Sequence, residues 1–145
     1  MNIFVTGGSG FVGSHVIKRL IADGHSVLAQ ARSENAAKKI KALGVQTVVA
    51  PFNNVAALRK AVTGQDAVIH AAAHFELWGP WQKFQEGIID ATLNLHQAAR
   101  EENVRRFVYV SAAGVVSGNL PKVVDETTPY PTKHTAHYGE AKALT

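Results

Sequence analysis

The chain has no cysteine and a single methionine among its 145 residues. Disulfide frameworks, thiolate nucleophiles and thiolate-held metals are therefore excluded, and a cytoplasmic location is the expectation. No apolar run approaches the roughly 20 residues that span a bilayer. No basic segment precedes an apolar stretch in the manner of a signal peptide. Aromatic residues are few, at 8%, and they are not interleaved with the basic side chains as in a base-stacking platform. That pattern bears on the net charge of +4 and the isoelectric point near 9.5. The basic residues (Lys38, Lys39, Lys41, Arg59, Lys60, Arg105, Arg106) are scattered through the chain, so nucleic acid is not the expected partner and an anionic cofactor accounts for part of the charge. Seven histidines include the spaced pairs His70/His74 and His134/His137. Neither pair carries carboxylates at a metalloprotease spacing, and no metal is expected. Hydrophobic content of 46% and mean hydropathy near zero suit one globular domain with a single good core.

What the chain does have is Met-Asn-Ile-Phe-Val-Thr-Gly-Gly-Ser-Gly-Phe-Val-Gly at its beginning. Met1 to Thr6 reads as a buried strand, and an amphipathic helix follows over about Phe11–Ala22. Gly7, Gly10 and Gly13 punctuate the junction. The first lets the chain turn out of the strand, the second clears a side chain from the path of a pyrophosphate, and the third lets helix pack on sheet. The amides opening the helix face the phosphates together with the helix dipole. A glycine triplet alone is a common turn; here it follows a strand and opens a helix, which is the context a dinucleotide site requires.

Strand and helix patterns then alternate. Strands are expected at His25–Ala31, Gln46–Ala50, Ala67–His70 and Arg106–Ser111, with helices at Glu34–Leu43, Val55–Val62 and Trp81–Glu102 and a last one from near Ala136. Such alternation predicts an α/β fold, a doubly wound parallel sheet covered by helices on both faces. Ligands in such sheets sit at the carboxyl ends of the strands, where Thr6, Ala31, His70 and Ser111 are expected.

At the end of the second strand, an NAD site would place an acid to hold the ribose 2′-hydroxyl. This chain has Ala31-Arg32-Ser33. The planar fork of Arg32 suits a 2′-phosphate instead, with Lys38 and Lys39 nearby in sequence, so NADP is expected over NAD; a solvated surface arginine is the plainer alternative. Tyr138 and Lys142 stand four apart on one face of the last helix. An adjacent ammonium favours the phenolate and can hold ribose hydroxyls, although such a pair alone carries little. Trp78 and Trp81 flank Gly79-Pro80, and either line a substrate cleft or anchor the loop.

Four segments carry a resemblance that covers nearly the whole chain: Thr6-Gly7-Gly8-Ser9-Gly10-Phe11-Val12-Gly13, Asp66-Ala67-Val68-Ile69-His70-Ala71-Ala72-Ala73, Arg106-Phe107-Val108-Tyr109-Val110-Ser111, and Tyr138-x-x-x-Lys142. In this order and spacing the chain resembles the extended short-chain dehydrogenases/reductases, the branch of epimerase/dehydratase-like and dihydroflavonol-reductase-like proteins with a Rossmann domain. The resemblance implies that Gly7, Gly10, Phe11, Val12, Gly13, Arg32, Lys39, Ala71, Ala72, Ala73 and Lys142 contact NADP, NAD being the alternative. It implies that Tyr138 is the acid/base, Lys142 its activator, and Ser111 the orienting hydroxyl. The activity implied is that of an oxidoreductase or epimerase/dehydratase acting on a carbonyl or hydroxyl of a small molecule or nucleotide sugar, with a homodimer as a further expectation. A cofactor-binding module or sensor without catalysis is the competing expectation. Where relatives carry consecutive serines, this chain has Ser111-Ala112-Ala113, so the family serine matches Ala112. The usual acid after the third strand is replaced by Pro51-Phe52-Asn53-Asn54, and the family's helix asparagine falls near Ile88. Family members also continue past the Tyr/Lys helix into a substrate-binding region, so residues 1–145 are expected to be the NAD(P)-binding domain.

Overall fold

The computed structural model describes residues 1–116 and 123–145. In chain order the elements are β1 (Asn2–Thr6), α1 (Phe11–Ala22), β2 (Ser26–Ala31), α2 (Glu34–Lys41), β3 (Gln46–Val49), α3 (Val55–Val62), β4 (Ala67–His70), α4 (Trp81–Phe84), a π-helical stretch (Gln85–Asp90), α5 (Ala91–Glu101), β5 (Arg106–Tyr109), a 3-10 turn (Ala113–Val116) and α6 (His137–Ala143). They divide into two compact units, one of Met1–Ala72 with Thr92–Val110, the other of Ala73–Ala91 with Ser111–Thr145.

The first unit is a five-stranded sheet in the order β3-β2-β1-β4-β5, every pair parallel. β1 lies at its centre, and its alternation splits the core in two. Ile3 and Val5 pack with Ile17, Ala37 and Ile40 of α1 and α2. Phe4, on the opposite face, joins Leu58 and Val62 of α3 and Leu95 and Ala98 of α5. The expected doubly wound sheet is therefore present, with helices on both faces. Its N-terminal edge is tied by Asp66, which accepts the Asn2 backbone N–H at 2.8 Å and pairs with Arg105. The Asn2 N–H, then Arg105, hold this carboxyl below its ordinary range.

The second unit packs Phe84, Ile88 and Ala141 with Ala73, Trp81, Ile89 and Tyr138. The expected single helix over residues 81–102 is interrupted by the π stretch, and Gly87 sits within it. A π turn releases a carbonyl from the i→i−4 pattern. The Gly87 carbonyl accepts the His74 backbone N–H at 3.3 Å, and a Cβ on Gly87 would come within 2.5 Å of the His74 Cβ. The segment after β4 is thus seated closely on the π turn. No described helix is long and apolar enough to cross a membrane.

Candidate functional site

The glycine cradle lies in the first unit. Gly7 has φ of +73°, and a Cβ there would stand 2.7 Å from the backbone of Ala71 and Ala72. The turn after β1 and the strand end of β4 therefore meet backbone to backbone, which only glycine permits. Gly13 is tighter still, since a Cβ would lie 2.2 Å from the Gly7 carbonyl oxygen. Gly10 differs. Its φ of −92° suits any residue, and a Cβ there would meet only the Gly7 oxygen, at 3.3 Å. Gly10 also caps α1 without a side chain, so no side-chain oxygen occupies the opening amides of that helix. Folding demands glycine at positions 7 and 13 but not at position 10. The open turn and the amides at the start of α1 fit the pyrophosphate of a dinucleotide.

Beneath the cradle runs a buried polar chain that the sequence did not announce. Thr6 and His70 are register partners on β1 and β4. Thr6 Oγ1 lies 2.7 Å from His70 Nδ1 and accepts the Ala72 backbone N–H at 3.2 Å, while His70 Nε2 lies 3.1 Å from Thr92 Oγ1. His70 is fully buried, with Tyr109 stacked on it at 5.6 Å. A buried polar group is costly unless bonded, and here both ring nitrogens are engaged. The arrangement fixes the Ala71–Ala72 backbone against Gly7. Among the described residues no cluster of three histidine, cysteine or carboxylate side chains could hold a metal.

Arg32 directly follows β2 and is exposed, with no salt bridge to any described residue. Ser33 caps α2 by accepting the Ala36 N–H, so the helix start is fixed beside the guanidinium. Lys38 and Lys39 are exposed on α2. After β3, Asn54 spends its side chain capping α3, accepting the Ala57 N–H at 3.0 Å.

In the second unit α6 carries Tyr138 half-buried and Lys142 buried, 4% exposed. The Tyr138 ring meets Phe75 edge-on, centroids 5.0 Å apart at 89°. α6 lies unusually close to the 3-10 turn, because Gly139 faces Gly114: a Cβ on Gly139 would come within 2.6 Å of the Gly114 oxygen. His134 Nε2 bonds the Val115 carbonyl at 3.0 Å on the same turn. Neither glycine was picked out from the sequence; a Tyr-Gly dipeptide four residues before the helix end is the signal available. The end of β5 requires a correction. The ladder closes with the Val110 N–H on the His70 carbonyl at 3.0 Å, β5 ends at Tyr109, and Ser111 lies beyond the strand, exposed. From there the Val115 N–H bonds the Ala112 carbonyl and winds the chain into the 3-10 turn. Trp81 packs in the small core, edge-on to His137 at 5.4 Å, while Trp78 is 85% exposed.

A family profile described as NAD(P)H-binding matches residues 7–144. A ketoreductase of 4-hydroxy-2-methyl-3-oxo-4-farnesyl-3,4-dihydroquinoline-1-oxide from Stigmatella aurantiaca is 36% identical over 99% of this chain and 43% of its own length. A decarboxylating sterol-4-alpha-carboxylate 3-dehydrogenase from Dictyostelium discoideum is 34% identical over 99% and 45%. Among solved structures, a UDP-glucose-4-epimerase from Stenotrophomonas maltophila with bound NAD superposes with a TM-score of 0.85 at 25% identity, covering 98% of this chain and 45% of that one. The chain spans less than half the length of these relatives.

Proposed function

Since the chain belongs to the NAD(P)H-binding family, as an extended short-chain dehydrogenase/reductase, we propose that it serves an NADP-preferring carbonyl reductase acting on a small molecule. The observation that carries the cofactor choice is Arg32, exposed at the end of β2 where an acid would hold an NAD ribose. When bound, NADPH supplies the hydride. The chain's own part is to cradle the pyrophosphate at Gly7–Gly13, to hold the 2′-phosphate with Arg32 and Lys39, and to deliver the balancing proton from the Tyr138 hydroxyl to the carbonyl oxygen. Lys142, one turn along α6, favours the phenolate by its charge and holds ribose hydroxyls. The names of the relatives at 34–36% identity, a ketoreductase and a 3-dehydrogenase, favour net oxidation–reduction over epimerisation.

The test is a titration of NADPH and NADH, followed by nicotinamide fluorescence, against wild type and Arg32→Ala. Losing a charge-assisted contact costs about 1.5–3 kcal/mol, which is roughly a ten- to hundredfold loss of NADPH affinity. NADH affinity is expected to stay unchanged. Equal NADPH affinity in both proteins would refute the assignment.

A further inference from the structure

β1 and β4 change character at their last residue. Phe4, Val5 and Val68 are fully buried and apolar; the two strands then end on Thr6 and His70, equally buried and polar. These ends flank one place in the sheet. The order β3-β2-β1-β4-β5 grows from β1 toward β3 on one side and from β4 toward β5 on the other. The switch point, where a crevice for ligand opens at the carboxyl ends, therefore lies between β1 and β4. Stability alone does not explain a polar pair there, because exchanging both partners of a buried hydrogen bond for apolar groups of like shape is close to neutral. The imidazole is also clamped, by Phe52 edge-on at 5.5 Å and by Tyr109 stacked at 5.6 Å, so it cannot turn over without displacing an aromatic neighbour.

The hydrogen bonds fix where the ring proton sits. Thr6 Oγ1 accepts the Ala72 N–H at 3.2 Å, and among the described residues the one acceptor within reach of the Thr6 hydroxyl hydrogen is His70 Nδ1, at 2.7 Å. Nδ1 therefore accepts, and the ring proton is on Nε2, which donates it to Thr92 Oγ1 at 3.1 Å. This order of bonds holds a Thr6 lone pair toward the Ala72 N–H. A Cβ on Gly7 would stand 2.7 Å from that same Ala72 nitrogen, so a shift of this amide moves the glycine turn with it. We infer that His70, as the Nε2–H tautomer, is a positioning residue for the dinucleotide: through Thr6 it sets the Ala71–Ala72 backbone against Gly7 at the switch point. This rests on reading the glycine turn as a dinucleotide site.

Asparagine sets its amide where Nδ1 stands and glutamine sets its amide where Nε2 stands, so two substitutions part the roles of the nitrogens. His70→Asn can still accept from Thr6 and is expected to bind NADPH within about threefold of wild type. His70→Gln keeps only the Thr92 side and should bind about tenfold more weakly or worse. A histidine that merely filled the core would make the two variants alike, since each loses the ring and one hydrogen bond. Affinity is read by nicotinamide fluorescence, below the melting temperatures found by circular dichroism. Equal affinities in the two variants, or tighter binding by His70→Gln, would overturn the inference. Should either fail to fold, Thr6→Ser and Thr6→Val make the same division: the serine keeps the hydroxyl and near wild-type affinity, the valine loses both, and equal affinities again count against the inference. In the wild type, a proton–nitrogen correlation spectrum should show the His70 ring proton on Nε2, and a proton on Nδ1 would be equally fatal. NADPH that does not bind the wild type refutes the cofactor reading itself, whereas NADPH bound by wild type and variants alike refutes only the role of His70.

Discussion

Gly13→Ala and Gly10→Val should fail in opposite ways. A Cβ on Gly13 would lie 2.2 Å from the Gly7 oxygen, 2.5 Å from the Gly7 carbonyl carbon and 2.9 Å from the Gly8 nitrogen, all backbone atoms of the turn on which α1 packs. Ordinary contact begins near 3.5 Å, so α1 would have to retreat by more than about 1 Å. The neighbours are backbone, with no flexible end to swing away. The cost is then about 3 kcal/mol or more, equivalent to a fall in melting temperature of roughly 6–12 °C for a chain of this size. Gly10→Val meets only one atom at 3.3 Å from a backbone that already suits a side chain. As a helix cap, valine costs about 1 kcal/mol relative to glycine, so the melting temperature should fall by less than about 4 °C. NADPH is affected the other way round. The valine would fill the space kept for the pyrophosphate, and losing two amide–phosphate bonds at about 1.5 kcal/mol each weakens binding about a hundredfold or more. Thermal melts by circular dichroism and NADPH titration on the same preparations give both readouts. A Gly13→Ala protein that melts with wild type, or a Gly10→Val protein that binds NADPH normally, would refute the division of labour among the glycines.

Tyr138→Phe removes only a hydroxyl and should abolish turnover of an accepted ketone while sparing NADPH affinity; Lys142→Ala should impair both, and equal NADPH affinity in the two variants would count against ribose binding by Lys142. If Ser111 orients the substrate from beyond the end of β5, Ser111→Ala lowers kcat by about ten- to a hundredfold and Ala112→Ser changes little; the reverse pattern, a gain for Ala112→Ser, would show that the family position is at Ala112. Asp66 is held below its ordinary pKa by the Asn2 N–H and by Arg105, so its contribution to stability is full above the unfolded carboxylate range near pH 4. That contribution is lost as pH falls through the lower folded value. Asp66→Asn should therefore melt lower at pH 7 and show a shallower loss of stability between pH 5 and 2, measured by thermal melts across that range.

The fold was legible wherever one local signal fixed one element. The start of α1 and both ends of α3 follow from caps and breakers on the page: Gly10 before Phe11, Asn54 before Val55, and Thr63-Gly64 after Val62. The glycine turn between β1 and α1 was legible for the same reason. The π stretch was not, because apolar spacing averaged over Trp81–Glu102 fits a 3.6-residue period and conceals six residues with a wider one. The end of β5 was missed because Val110-Ser111 carries no breaker; the strand stops where its last partner on β4, His70, stops. The contacts of Gly87 with His74 and of Gly139 with Gly114 join segments distant in sequence, and a single chain gives no pairing signal between them. Among site residues, Thr6 and His70 were placed at strand ends, but their hydrogen bond is a matter of register between β1 and β4, which no local pattern encodes.

That register has a spectroscopic consequence. An imidazole ring always carries at least one N–H, and in His70 each nitrogen faces a threonine oxygen at the centre of a five-stranded sheet. Such a proton reaches solvent only when β1 and β4 part or α5 lifts away. It should appear in a proton NMR spectrum as a sharp signal far downfield, where the rings of exposed histidines such as His15 and His96 lose theirs to exchange with water. One atom then keeps time for the whole first unit: the rate at which its signal fades in deuterated solvent measures how often the middle of the sheet opens.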